Sequence, residues 1–229
     1  MLLQGFGGLI LEGTLATIKL AVLSMLLAVL IGLMGASAKL SKLCLRRHTA
    51  TVYTTLIRSV PDLVLMLLLF YSLQIFLNNL TEWFGIDQID LNPFVSGVIT
   101  LGFIYGAYFT ETFRGAFQAV PAGQLEAASA YGMSRWQVFR RVLFPQMMRF
   151  ALPGIGNNWQ VLIKATALVS IIGLIDIVKV TQDAGKSSMQ LMYFSIVGAL
   201  IYLAITTVSN GVLLWLERRY SQGVRAAAL

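Results

Sequence analysis

The sequence predicts an all-α, polytopic membrane protein with about five transmembrane helices. Composition is the first reason: 57% of the 229 residues are hydrophobic and only 12% are charged, about half the charge of an ordinary soluble domain. The second is a mean hydropathy of +0.76. The third is distribution, since the apolar residues form runs long enough to cross about 30 Å of hydrocarbon, and the basic residues collect at the ends of those runs. A net charge of +7 is therefore a matter of topology. A nucleic-acid surface would need the cations gathered on one face.

In chain order, Met1 to Glu12 is Gly-rich and mildly apolar and lacks the basic n-region of a signal peptide, so no cleavage is expected. Thr14 to Ala38 is the first span, with Gly32, Gly35 and Ala36 small enough for close helix approach. Lys19 near its start can snorkel or pair with Glu12. Lys39, Lys42, Arg46 and Arg47 follow and mark the inner side, which places the N-terminus outside. The second span covers 60–77, and the loop to Pro93 carries Glu82, Asp87 and Asp90 without a Lys or Arg, as an external loop can. Trp83 and Phe84 suit an interfacial anchor.

The third span, 94–117, descends and carries Glu111 and Arg114 three apart, on one helix face and able to pair. A polar and basic loop covers 118–150. The fourth span, 153–175, is unusually polar: Asn157, Asn158 and Gln160 lie in its first two turns, and Lys164 lies about 16 Å from its start. Residues 176–190 mix both signs and read as an external loop. The fifth span, 191–216, ends at Glu217-Arg218-Arg219, which places the C-terminus inside. Of seventeen Lys and Arg, thirteen fall on the inner side: Lys39, Lys42, Arg46, Arg47, Arg58, Arg114, Arg135, Arg140, Arg141, Arg149, Arg218, Arg219 and Arg225.

The loop from Glu126 to Pro145 has the grammar of two short helices with a hinge. Pro121 suits a first helical turn, an Ala-rich run propagates to Ala130, and Gly132 supplies the left-handed residue that closes the helix. Ser134 and Gln137 have capping-box spacing. Trp136, Phe139 and Leu143 then recur at helical spacing, with Arg135, Arg140 and Arg141 largely elsewhere on the wheel, and Pro145 is expected to end the helix. Two readings stay open from the residues alone: a helix lying on lipid headgroups, or a docking helix for a cytosolic partner.

Glu126-Ala127-Ala128, then Gly132, then Val142, Phe144 and Pro145, resemble the EAA motif of bacterial ABC-importer permeases. Residues 108–115 (YFTETFRG) before it, and Gly156-Asn157-Asn158-Trp159 and residues 164–170 (KATALVS) after it, are similar to the polar amino acid permeases, most closely those of the histidine/lysine/arginine/ornithine type. Nearly the whole chain takes part. Ala165 and Ala167 stand where many relatives carry an acidic residue and a Ser, a variant associated with the histidine branch. The resemblance implies a type I ABC importer permease fold and a bacterial inner-membrane location. It implies import of polar, chiefly basic, amino acids by alternating access. The loop would be the coupling helix, with Glu126, Ala127, Ala128, Gly132 and Pro145 forming the ATPase contact.

Partners follow from the same resemblance and from what the chain lacks. The full phosphate-binding pattern Gly-x-x-x-x-Gly-Lys-Ser/Thr does not occur, so this chain is expected to bind no cofactor and ATP is expected to be used by separate ABC ATPase subunits. No soluble region of even fifty residues is available to capture substrate, which calls for an external binding protein. A second, homologous permease completes the assembly, as a heterodimer by the histidine-type resemblance. The single cysteine, Cys44, excludes an internal disulfide and any multi-Cys metal site. His48, in a basic loop, reads as solvated or headgroup-facing.

Within the spans two readings stay open. Glu111, Arg114, Asn157, Asn158 and Lys164 can line the translocation path, or they can be internal ion pairs and packing contacts, with Lys164 and Glu111 the candidate pair. A rival class is an ion-coupled secondary transporter or channel without an ATPase. Such proteins often show inverted repeats and paired broken helices, which five spans and one long basic loop fit poorly.

Overall fold

The structure is a computed structural model that describes Leu3 and residues 5–220; Arg225 lies outside the described residues. Among these it is helical and contains no strand. Helices α1 (Gly7–Lys39), α3 (Asp62–Trp83), α4 (Pro93–Ala119) and α9 (Leu191–Tyr220) are each long and apolar enough to cross a membrane. The run from Arg135 to Ile172 and α8 (Ile177–Ser187) are long and apolar enough only when taken together, and the two pieces are bent by 57° at the break between them.

α1 shows why these helices bury what they bury. Its inward stripe is largely small, with Gly13, Thr17, Ala21, Ser24, Ala28, Gly32 and Ala36 buried, while Leu26, Leu30 and Met34 face outward. In lipid there is no gain in hiding leucine from the surroundings, so close backbone approach decides the packing. The partner is α4, whose glycines answer: Gly97 lies under Leu20, Gly102 under Leu27 and Gly106 under Ile31. A Cβ added at Gly32 would stand 2.5 Å from Phe109 Cβ and 3.0 Å from its backbone carbon. Residue numbers rise together along this seam, so α1 and α4 run parallel and the chain between them must cross back. α9 runs antiparallel to the segment carrying Asn157, since Gly156 meets Leu213 and Gln160 bonds to the Thr206 carbonyl at 3.3 Å.

Several sequence expectations change, beginning with the first span, which starts at Gly7 rather than Thr14. Residues 44–59, read as loop, form α2 (Cys44–Ser59), an amphipathic helix with Ala50, Thr54 and Ile57 buried and Tyr53 donating to the Phe103 carbonyl at 2.5 Å. The second span continues past Leu77 to Trp83, because Phe84 and the residues after it cap it by backbone bonds to Leu80, Thr81 and Glu82. Residues 176–190, read as loop, hold α8, where Asp176 accepts from the Lys179 N–H at 2.8 Å and Ile177, Val180 and Ala184 are buried.

A further change concerns Pro145, which does not end a helix. α6 (Arg135–Val138) passes into a π-helical turn, Phe139–Leu143, and then into α7 (Phe144–Ala165). Proline lacks an N–H and clashes with the carbonyl four residues back. Here the wider turn, in which Phe144 N–H donates to the Phe139 carbonyl, has already opened the ladder. Pro145 then occupies the first turn of α7, where no donor is needed. Pro153, expected to begin the fourth span, lies inside that same helix. A short 3-10 segment, Thr166–Ile172, ends at Gly173 with φ of 100°.

Candidate functional site

The loop between α4 and α7 is a fixed elbow. α5 (Ala122–Ala130) is closed by a Schellman arrangement: Gly132 N–H donates to the Ser129 carbonyl at 3.0 Å and Met133 N–H to the Ala128 carbonyl at 3.2 Å, with Gly132 at φ 76°. α6 opens on the capping box. Ser134 Oγ accepts from Gln137 N–H at 3.4 Å and Gln137 Oε1 from Ser134 N–H at 2.9 Å, so two otherwise unpaired donors are satisfied reciprocally. The inside of the elbow is a recess between Leu125, Ser129, Met133, Val138, Phe139 and Leu143. Ala128 is buried, whereas Glu126, Ala127 and Gly132 are exposed and Pro145 is half-buried. Tyr131 is 87% and Trp136 65% exposed, the latter stacked on Phe139 at 5.6 Å. Exposed aromatic surface of this size on a frame capped at both helix ends can serve as a contact face.

The charged residues of the third span meet on the side of α1. Glu111 accepts from Lys39, the last residue of α1, through one carboxylate oxygen and from Arg114 Nε and a terminal nitrogen, both at 2.8 Å, through the other. Arg114 also donates to Gln118 Oε1 at 2.7 Å. The expected Glu111–Arg114 pair is present, but the second cation is Lys39 and not Lys164. Height explains this. Asn158 donates to Thr112 Oγ1 at 3.0 Å, so α7 is level with Glu111 near residue 158. Lys164 is six residues further along, about 9 Å up the axis.

The amides divide. Asn158 is buried and ties α7 to α4 through Thr112, while Gln160 ties it to α9. Asn157 and Lys164 are exposed on the opposite stripe of α7, uncovered by the rest of the chain. A lysine on a spanning helix is costly against hydrocarbon, so this stripe needs water or another polypeptide beside it. Lys39 is the residue that sequence reasoning missed: it is separated from Glu111 by 72 positions, and no local pattern joins them.

A multi-pass helical bundle with a polar stripe on one span and an exposed, doubly capped elbow is the arrangement of a membrane transport subunit. Residues 25–222 match the family described as the binding-protein-dependent transport system inner membrane component. The chain is 65% identical to the histidine/lysine/arginine/ornithine transport system permease protein HisQ of Escherichia coli (strain K12), over 100% of both chains. It is 38% identical to the nopaline transport system permease protein NocQ of Agrobacterium fabrum, over 97% of this chain and 95% of that one. Among solved structures it resembles a chain of an amino acid ABC transporter with histidines, at TM-score 0.76 and 32% identity over 93% of this chain and 94% of that one. A chain of the MetNI methionine ABC transporter, solved in inward-facing conformations, shares the fold at TM-score 0.74 and 15% identity, over 96% of this chain and 99% of that one. The chain belongs to the binding-protein-dependent transport system inner membrane components, and is a multi-pass protein of the inner membrane.

Proposed function

We propose that this chain is the permease subunit of an ATP-driven importer of polar, chiefly basic, amino acids, working by alternating access with its N-terminus outside and its C-terminus inside. The observation that carries the reading is the exposed elbow of α5 and α6, braced at both helix ends and continuous through the π-turn with α7. A force applied at Trp136 passes along an unbroken helical run to the stripe bearing Asn157 and Lys164, and one applied at Glu126 or Ala127 reaches that run across the capped turn at Gly132. The ATPase is a separate polypeptide, bound at the elbow, and uses the ATP; this chain itself binds no cofactor. Substrate arrives on an external binding protein, and a second, homologous permease covers the polar stripe of α7. ATP and the binding protein drive the cycle only through their different affinities for the two states.

Substrate class comes from the relatives, whose names span histidine, lysine, arginine, ornithine and nopaline. The test is a crosslink. Cys44 is exposed, so a Cys44→Ala background is used, with cysteine at Ser129 beside Glu126 and surface cysteines on the co-expressed ATPase. An ATP-sensitive crosslink is expected. Its absence from every position between 123 and 138, in correctly inserted protein, returns the elbow to the headgroup surface.

A further inference from the structure

Beside the Glu111 network, the end of α1, the start of α2 and the last turns of α4 enclose a recess of about 240 Å³ lined by Lys39, Arg47, Thr51, Arg114 and Gln118. Its charge does not balance. Three cations face it, and Glu111, the carboxylate beside it, is already shared by two of them, which leaves a formal excess of two positive charges. No carboxylate among the described residues pairs with Arg47. Arg114 commits three of its five N–H groups to Glu111 and Gln118. Gln118 accepts through Oε1 and keeps its amide N–H groups to give. Thr51 donates to the Arg47 carbonyl inside its own helix at 2.8 Å and adds no donor. The recess therefore offers many donors and much positive charge, with little to accept. A basic amino acid would be repelled, so this is no stop on the substrate's route.

Its surroundings narrow the ligand further. Lys39 terminates a 33-residue apolar helix, and α2 turns Leu45, Val52 and Leu56 outward, with 76%, 41% and 60% of their surfaces exposed. Concentrated cations with an apolar helix face close by match the headgroup level of a bilayer.

We infer that this recess binds a phosphate-bearing anion, the headgroup of an anionic phospholipid or a free phosphate. Arg47 is the principal ligand and Arg114, Lys39 and Gln118 complete the set. The site stands on the membrane placement of the chain and is independent of which substrate is transported.

The test is native mass spectrometry of the full assembly, purified in detergent and incubated with phosphatidylglycerol, with phosphatidylethanolamine, or with inorganic phosphate. Wild type is expected to retain phosphatidylglycerol in preference to phosphatidylethanolamine. Arg47→Gln is expected to lower that retention about fivefold, the usual effect of one basic residue at an anionic headgroup. Arg46→Gln makes the same charge change on the other flank of α2, beside a different recess, and should leave retention unchanged. Gln118→Ala is a second, charge-neutral probe, expected to cost about threefold through a lost hydrogen bond. Displacement of the lipid by excess inorganic phosphate assigns the site to the free anion, and resistance to displacement assigns it to the lipid. Equal losses in Arg46→Gln and Arg47→Gln, or no loss in either Arg47→Gln or Gln118→Ala, overturn the inference.

Discussion

Replacing Glu111 by glutamine keeps the shape of the side chain and removes the charge on which two cations converge. Arg114 is 35% exposed and keeps Gln118 as a partner, so its share of the loss is small. Lys39 is the residue left exposed to the consequence, because only 11% of its side chain reaches solvent. Breaking a fully buried pair costs about 3–5 kcal/mol. Two features reduce this: Lys39 closes α1, where the helix dipole favours a cation by about 0.3–1 kcal/mol, and its stem can swing the ammonium outward. About 2 kcal/mol is the expected cost of Glu111→Gln, which for a chain of this size lowers Tm by about 6 °C. Lys39→Met removes the other partner, and the double variant should recover about half of the summed loss, because the one cation left, Arg114, is part-exposed and keeps Gln118. Thermal unfolding of the four proteins of this cycle, in detergent, measures the coupling directly. Strict additivity of Lys39→Met and Glu111→Gln would refute the pairing, as would restoration of Glu111→Gln by Lys164→Met.

Three further outcomes follow from the same geometry. Gly132→Val places a β-branched residue at φ 76°, a conformation costing such residues about 1–2 kcal/mol; nothing else lies within 4 Å of the added Cβ. The protein should insert normally but lose ATP-coupled uptake in proteoliposomes, whereas Ser129→Val, on an exposed helical position, should be far milder. Ser134→Ala removes one half of the capping box and should cost about 1 kcal/mol, read as faster amide exchange across residues 135–138 with no change in the spans. Gly32→Leu drives a branched side chain into the Phe109 backbone at a seam with no room to yield; about 3 kcal/mol or more of overpacking is expected, seen as loss of folded protein by size-exclusion of detergent extracts, while Gly115→Leu, in open space, should be tolerated.

Chain-local information determined a great deal here. Apolar runs marked the four long helices, because a helix in lipid must satisfy its backbone internally and so must be long and apolar, although α1 begins at Gly7 rather than Thr14 and α3 ends at Trp83 rather than Leu77. The elbow was legible for a similar reason: Gly132, Ser134 and Gln137 act through bonds to backbone groups a few residues away. α2 and α8 carried their signals too, in Ala50, Tyr53 and Ile57 and in Asp176, Ile177, Val180 and Ala184, but charge at their surfaces masked them as loops. Pro145 misled because its rule holds for an α-helical ladder, and a π-turn changes which carbonyl lies beneath the ring. The partner of Glu111 was beyond reach altogether. Helical spacing joins Glu111 to Arg114, yet whether Lys39 or Lys164 sits at its height depends on how far α1 and α7 slide along α4. That register is decided by glycines meeting backbone on one helix and Asn158 meeting Thr112 on the other, contacts that exist only once the helices are packed.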